Sequence, residues 1–154
     1  MTIAAHSAGL LLHRPGREPE VLVAHMGGPY WRGRDEGAWT IPKGEFDPAV
    51  ESAEDAARRE FREEVGLAPP PGPYRDLGEF RYRSGKRLRV FAADGATLPI
   101  ADAVFGEFDL EWPPRSGRIA RFPEIDRVEW MPPARARALL VAGQRPALDA
   151  LAAS

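Results

Sequence analysis

The 154-residue chain has no cysteine. That absence removes disulfide staples and thiolate metal sites, and it suits a reducing cytoplasm. Lysine is almost missing as well: Lys43 and Lys86 stand against 19 arginines. Those arginines are scattered, a bias of composition rather than the one-sided basic footprint of a nucleic-acid binder. Formal net charge is only -2. No apolar run approaches the ~20 residues needed to span a bilayer. The opening MTIAAHSAGLLLHR has no basic start and carries His6 and Ser7 inside its apolar run, unlike a secretory signal. These absences predict a cytoplasmic, soluble protein with no membrane association and no dedicated nucleic-acid surface. With 44% hydrophobic residues the chain can bury one core, so 1–154 reads as a single domain.

Residues 2–13 and 20–25 are rich in Ile, Leu and Val and flank RPGREP, which predicts a hairpin. A loop-like stretch follows from Met26 to Val50, with a short strand predicted at Ala38 to Ile41. Ser52 to Val65 reads as a helix: Ser52 and Asp55 have capping-box spacing, and Gly66 stands where helices commonly end. DLGEFRYR and RLRVFAADG, joined by SGK, predict a second hairpin. The Pro-rich stretch through EWPPRSGR to Phe122 reads as irregular, DRVEWM as a strand, and the C-terminal segment as two short helices broken at Gly143 to Pro146. Strands on both sides of a mid-chain helix, with more helix at the end, predict an α/β fold with a mixed sheet covered by helices.

The helix carries an anomaly. At about 100° per residue, Ala53, Ala56, Ala57 and Phe61 define an apolar stripe, and Glu60 and Glu64 fall within about 20° of its centre. Glu63 falls on its edge, while Asp55, Arg58 and Arg62 project to the other side. Two adjacent ionised carboxylates facing a core cost several kcal/mol each unless a cation compensates them. Arginines could do so, giving an ion-paired helix surface. A hard divalent ion could too, since magnesium takes one or two carboxylates and completes its shell with water and phosphate. The spacing alone admits either.

Gly44 to Leu67, GEFDPAVESAEDAARREFREEVGL, resembles the signature box of the Nudix hydrolases. Glu51, Arg59, Glu60, Phe61, Glu63, Glu64, Gly66 and Leu67 meet that pattern at the family's intervals, except that six residues separate Gly44 from Glu51 where the family has five. Glu124, six positions before Trp130 in EIDRVEW, looks like the post-box glutamate of several members. WTIPKGE is similar to the strand entering the box in the branch that includes dinucleoside polyphosphate and diphosphoinositol polyphosphate hydrolases. The resemblance implies an α/β/α sandwich with a central mixed β-sheet.

It also implies roles. Glu60 and Glu64 would be the principal magnesium ligands, with manganese also suited. Glu63 would be a further ligand or the base that takes a water's proton, and a backbone carbonyl at Lys43 or Gly44 would complete the metal's shell. Arg59 pairs with Glu51 to brace the box. Glu124 is an extra ligand, the general base or an exposed loop glutamate. Lys43 offers a point charge to phosphate. Tyr30, Trp31 and Trp112 could stack on a base, and Arg32, Arg34, Arg115 and Arg118 could meet further phosphates. Trp39 and Trp130 read as core or sheet residues, and His6, His13 and His25 as structural. The activity implied is a magnesium-dependent pyrophosphohydrolase acting on a small nucleotide or polyphosphate, a dinucleoside polyphosphate or nucleoside triphosphate first. The alternatives are a nucleotide-sugar, ADP-ribose or capped-RNA pyrophosphohydrolase, or a nucleotide-sensing module without catalysis.

Overall fold

The computed structural model describes residues 5–154. The predicted first strand begins at residue 2, and its residues 2–4 lie outside that range. β1 (His6–Arg14) and β2 (Glu20–Met26) form the predicted hairpin, pairing antiparallel at His13 with Val21 and Arg14 with Glu20. Beyond those two pairs the strands part. β3 (Trp39–Thr40) then pairs with β2, and β4 (Lys43–Glu45) pairs with β1.

α1 (Ala53–Val65) follows, then β5 (Arg75–Arg81) and β6 (Arg87–Asp94), the second predicted hairpin. β7 (Glu107–Glu111) and β8 (Ile119–Pro123) form a separate two-stranded sheet. β9 (Ile125–Met131) pairs antiparallel with β2. α2 (Pro133–Leu139), a 3₁₀ turn at Ala142–Gln144 and α3 (Arg145–Ala153) close the chain. β6 joins β1 in parallel, which makes the seven-stranded sheet mixed, as predicted.

Side-chain alternation sorts the core. Leu10, Leu12, Leu22 and Ala24 face α1, where they meet Ala56, Ala57, Phe61 and Val65. Leu11, Val21 and Val23 face the other way, toward Ala136, Leu140, Ala147 and Leu148 of the C-terminal helices and their junction. Both faces of β1 and β2 are therefore buried, which is why their sequences are continuously apolar rather than alternating. Helices on both faces make the α/β/α sandwich.

Two predictions need correction. The stretch up to Phe122 is not irregular: Glu107 to Glu111 and Ile119 to Pro123 pair over five residues each. The C-terminal break falls at Leu140 to Gln144, while Pro146 sits inside the first turn of α3, where its missing N–H has no helical partner to lose.

Candidate active site

The helix that carries the glutamates is fixed at both ends. Ser52 caps it, its side chain accepting a hydrogen bond from the Asp55 amide, and Gly66 ends it in the left-handed conformation at φ 74°. The segment after a short 3₁₀ turn at Ile100–Asp102 then runs past that end: the Val104 amide donates to the Val65 carbonyl at 3.0 Å and the Gly106 amide to the Glu64 carbonyl at 3.1 Å. These bonds use carbonyls that a helix end leaves without partners. The Gly106 carbonyl in turn accepts from the Glu124 amide at 2.7 Å, and the Gly27 amide donates to the Glu124 carbonyl at 3.0 Å. Glu124 is thereby pinned from both sides next to the last turn of α1.

Arg59 organises the other end of the acidic cluster. Its Nη2 donates to Glu51 Oε1 at 2.5 Å, and its Nη1 to Glu60 Oε1 at 2.9 Å and Glu63 Oε2 at 3.1 Å. The Arg59–Glu51 pair is as predicted. The segment between Gly44 and Glu51 makes a turn at Pro48–Val50, where the Ala49 amide donates to Asp47 Oδ1 at 2.9 Å. Arg59 also reaches Glu60 and Glu63, beyond the Glu51 partner that the resemblance implied. A long guanidinium projecting beside the stripe covers a carboxylate one position along.

The wheel nevertheless ordered the glutamates well: the Glu60 side chain is 14% exposed and that of Glu63 56%. Gly44 lies flat against Glu60, and a Cβ there would stand 1.9 Å from Glu60 Oε2. Glycine is the residue that lets β4 approach the carboxylate so closely. Glu64 has fewer partners. The Lys43 backbone amide donates to Glu64 Oε2 at 3.3 Å. Burial raises the Glu64 carboxyl to about 8, against the pull of Lys43 and with the push of Glu124. Burial also raises Glu60, although Arg59 opposes it, and raises Glu124, with Glu63 adding to the effect. Burial lowers Lys43, and Lys86 lowers it further.

Such a cluster is short of positive charge. Arg59 satisfies Glu51, Glu60 and Glu63, and Lys43 only partly offsets Glu64. Among the described residues no three His, Asp or Glu side chains converge as a ready cage, because Glu60 and Glu63 lean onto Arg59. The all-oxygen donor set and the desolvated Glu64 fit a hard divalent ion. Glu60, Glu64 and the Gly44 backbone are the groups that would hold it.

A cavity of about 280 Å³ opens beside Glu64, with Lys43, Thr40, Glu124, Trp31 and Phe108 among its walls. Of the aromatic candidates, Trp31 is brought to it. Tyr30 is not: it is 55% exposed and stands edge-on to Trp112, ring centroids 5.3 Å apart. Nor is the Arg34 side chain, and neither Arg32, Arg115 nor Arg118 lines this cavity. Phe108 escaped the sequence reading, although the strict alternation of Glu107, Phe108, Asp109, Leu110 and Glu111 was available as a strand signal. Thr40 is no free binding group, since its hydroxyl donates to the Ile41 carbonyl and accepts from Gln144 Nε2, both at 2.9 Å.

Residues 5–151 match the NUDIX domain family. The chain belongs to that family. It is a Nudix-type hydrolase, acting on phosphorus-containing acid anhydrides. A relative in Enterobacteria phage T4, an uncharacterized 17.7 kDa protein from the e-segB intergenic region, is 31% identical over 127 residues, covering 82% of this chain and 81% of that one. Among solved structures, the Nudix fold here is similar to a C. elegans Ap4A hydrolase (TM-score 0.62, 20% identity, 96% of each chain). It is also similar to the NUDIX domain of Shewanella oneidensis NrtR, solved with ADP ribose (TM-score 0.63, 15% identity, 99% of this chain and 89% of that one). Among the described residues no helix is long and apolar enough to cross a membrane.

Proposed function

We propose that this Nudix protein cleaves a phosphoanhydride bond in a nucleoside diphosphate linked to a further group, with a dinucleoside polyphosphate or nucleoside triphosphate as the preferred substrate. The observation that carries this reading is the cavity itself. Its walls combine Glu64, Glu124 and Lys43 with Trp31 and Phe108. A nucleotide offers the matching combination, a polyanion and a flat π-face.

Each residue then has a task. Trp31 and Phe108 give the base apolar surface to stack on, worth roughly 1–3 kcal/mol per aromatic contact. Lys43 lies against the phosphates as a point charge. Glu60 and Glu64, with the Gly44 carbonyl, bind magnesium or manganese. When bound, that ion supplies charge neutralisation on the diphosphate and a lowered pKa for a coordinated water. Glu124 is held by two backbone bonds beside the cavity, and burial raises its pKa, the direction that suits a general base. It is therefore favoured over Glu63, which Arg59 engages. Arg59 keeps Glu51, Glu60 and Glu63 in register.

The test incubates the protein and its Glu64→Gln variant with magnesium and a panel of nucleoside triphosphates, dinucleoside polyphosphates, ADP-ribose and nucleotide sugars in ¹⁸O-labelled water, following products by phosphorus NMR. Magnesium-dependent cleavage of a triphosphate or dinucleoside polyphosphate, lost in the variant, is the expected result. Cleavage of ADP-ribose or a nucleotide sugar alone would replace the preferred substrate class. Tight nucleotide binding with no turnover on any member of the panel would overturn the nucleotide substrates proposed.

A further inference from the structure

His25 is a buried titratable group that the chemistry above leaves unused. It lies on β2, 3% exposed, with its ring edge-on to Trp39 at 5.2 Å. Nδ1 stands 2.9 Å from Asp126 Oδ1, and Nε2 stands 2.6 Å from the Arg34 carbonyl oxygen. An ionised carboxylate and a carbonyl are both acceptors. A neutral imidazole has one N–H and can satisfy only one of them, leaving a lone pair pointed at the other oxygen. The doubly protonated ring donates to both.

The bond to Arg34 matters because of where that residue sits. The loop from Gly27 to Ala38 carries Trp31 to the cavity wall. Its internal bonds are short-range turns: the Trp31 amide to the Gly28 carbonyl at 3.3 Å and the Arg34 amide to the Trp31 carbonyl at 3.1 Å. At its far end Asp35 meets Trp39 Nε1 at 3.4 Å and Arg127 Nη2 at 3.6 Å. Among the described residues, the bond from His25 is the hydrogen bond that crosses from the limb 29–34 to the main sheet. The charged groups around the ring are Asp126 and Arg127 on β9 and Arg34 and Asp35 on the loop. Of their side chains Asp126 touches it, whereas the Arg127 guanidinium lies over the Trp39 ring at 5.1 Å.

We propose that His25 is a positioning residue: as an imidazolium it straps the Trp31 loop to β9 through Arg34 and Asp126, so the loop tightens on acidification and loosens as the ring loses a proton. The link to substrate affinity rests on the reading of the cavity as a nucleotide site; the state of the ring and of the loop does not. Nitrogen-15 NMR of the His25 ring and hydrogen exchange of the Trp31 and Arg34 amides, followed between roughly pH 5 and 8, test the strap directly. Both ring nitrogens protonated at the acid end, with the two amides losing protection as one proton leaves, is the expected result. In Asp126→Asn, which keeps the ring and its packing but removes the carboxylate that faces Nδ1, the two amides are less protected at the acid end than in the wild type.

His25→Ala removes the pH dependence of the two amides' protection and weakens ADP binding by about tenfold, the scale of one lost charge-assisted hydrogen bond. A neutral ring at the acid end, or loop protection that ignores both substitutions, overturns the proposal. Loop effects as described without any ADP binding would leave the strap standing and count against the nucleotide reading alone.

Discussion

At the scale of single residues, the site is governed by how little room and how little positive charge surround its carboxylates. Gly44 shows the first constraint. A methyl group there would overlap Glu60, with Cβ 2.0 Å from its Cδ, so either β4 or the carboxylate must move. Gly44→Ala is expected to leave a folded protein whose kcat/KM falls on the order of 10²-fold, the usual consequence of displacing a positioned group by about an ångström. Steady-state kinetics beside a thermal melt check this: unchanged kinetics would mean that Glu60 is not needed where it stands. Arg59 shows the second constraint. Its guanidinium is a stand-in for cationic charge among Glu51, Glu60 and Glu63, and its own proton is held more firmly than usual by those carboxylates. Arg59→Ala therefore unlocks three side chains together, and isothermal titration is expected to show weaker magnesium or manganese binding as the ligands lose their alignment.

At the scale of elements, α1 and the β7–β8 hairpin behave differently toward a reader of the sequence. The helix was legible because its signals are local: Ser52 at the cap, Gly66 at the end, and a 3.6-residue stripe whose alanines and Phe61 are fully or largely buried. Removing the cap by Ser52→Ala is expected to cost about 1 kcal/mol, while Phe61→Ala, a side chain with no exposure, costs about 3–5 kcal/mol by denaturant titration. The hairpin was not legible in the same way. It lies outside the main sheet, Pro113 and Pro114 interrupt its connection, and Phe108, which lines the cavity, packs against Phe122 rather than in a core cluster. Long-range consequences were hidden too. No spacing could show that Arg34 would offer its carbonyl to His25, or that Tyr30 would turn to Trp112. Phe108→Ala is expected to raise KM for the nucleotide several-fold with kcat little changed, since it removes stacking surface from the cavity wall without touching a carboxylate that the chemistry uses.

At the scale of the molecule, the crowding of carboxylates links the catalytic cluster to folding. Glu64 carries its proton up to about pH 8 in the folded chain but only to its ordinary value near 4.5 when unfolded. Between those limits the folded state binds more protons, so stability contributed by this group is present at low pH and is lost as pH rises through the window. Glu60 and Glu124, both raised, act in the same direction. Glu51 acts oppositely: Arg59 lowers its pKa, so its contribution is present above the ordinary carboxylate range and disappears only in acid. The protein freed of divalent ions with a chelator is therefore expected to lose on the order of 2–4 kcal/mol between roughly pH 5 and 8. Glu64→Gln flattens that decline, because a neutral amide occupies the same space without a charge to desolvate. Magnesium competes with the proton for the carboxylates, so it raises the melting temperature more at pH 8 than at pH 6, reaching about 2.7 kcal/mol at a hundredfold excess over its dissociation constant. Melts of both proteins across pH, with chelator and with magnesium, give the comparison. Parallel curves for wild type and variant would mean that Glu64 is not the group that pays for the site.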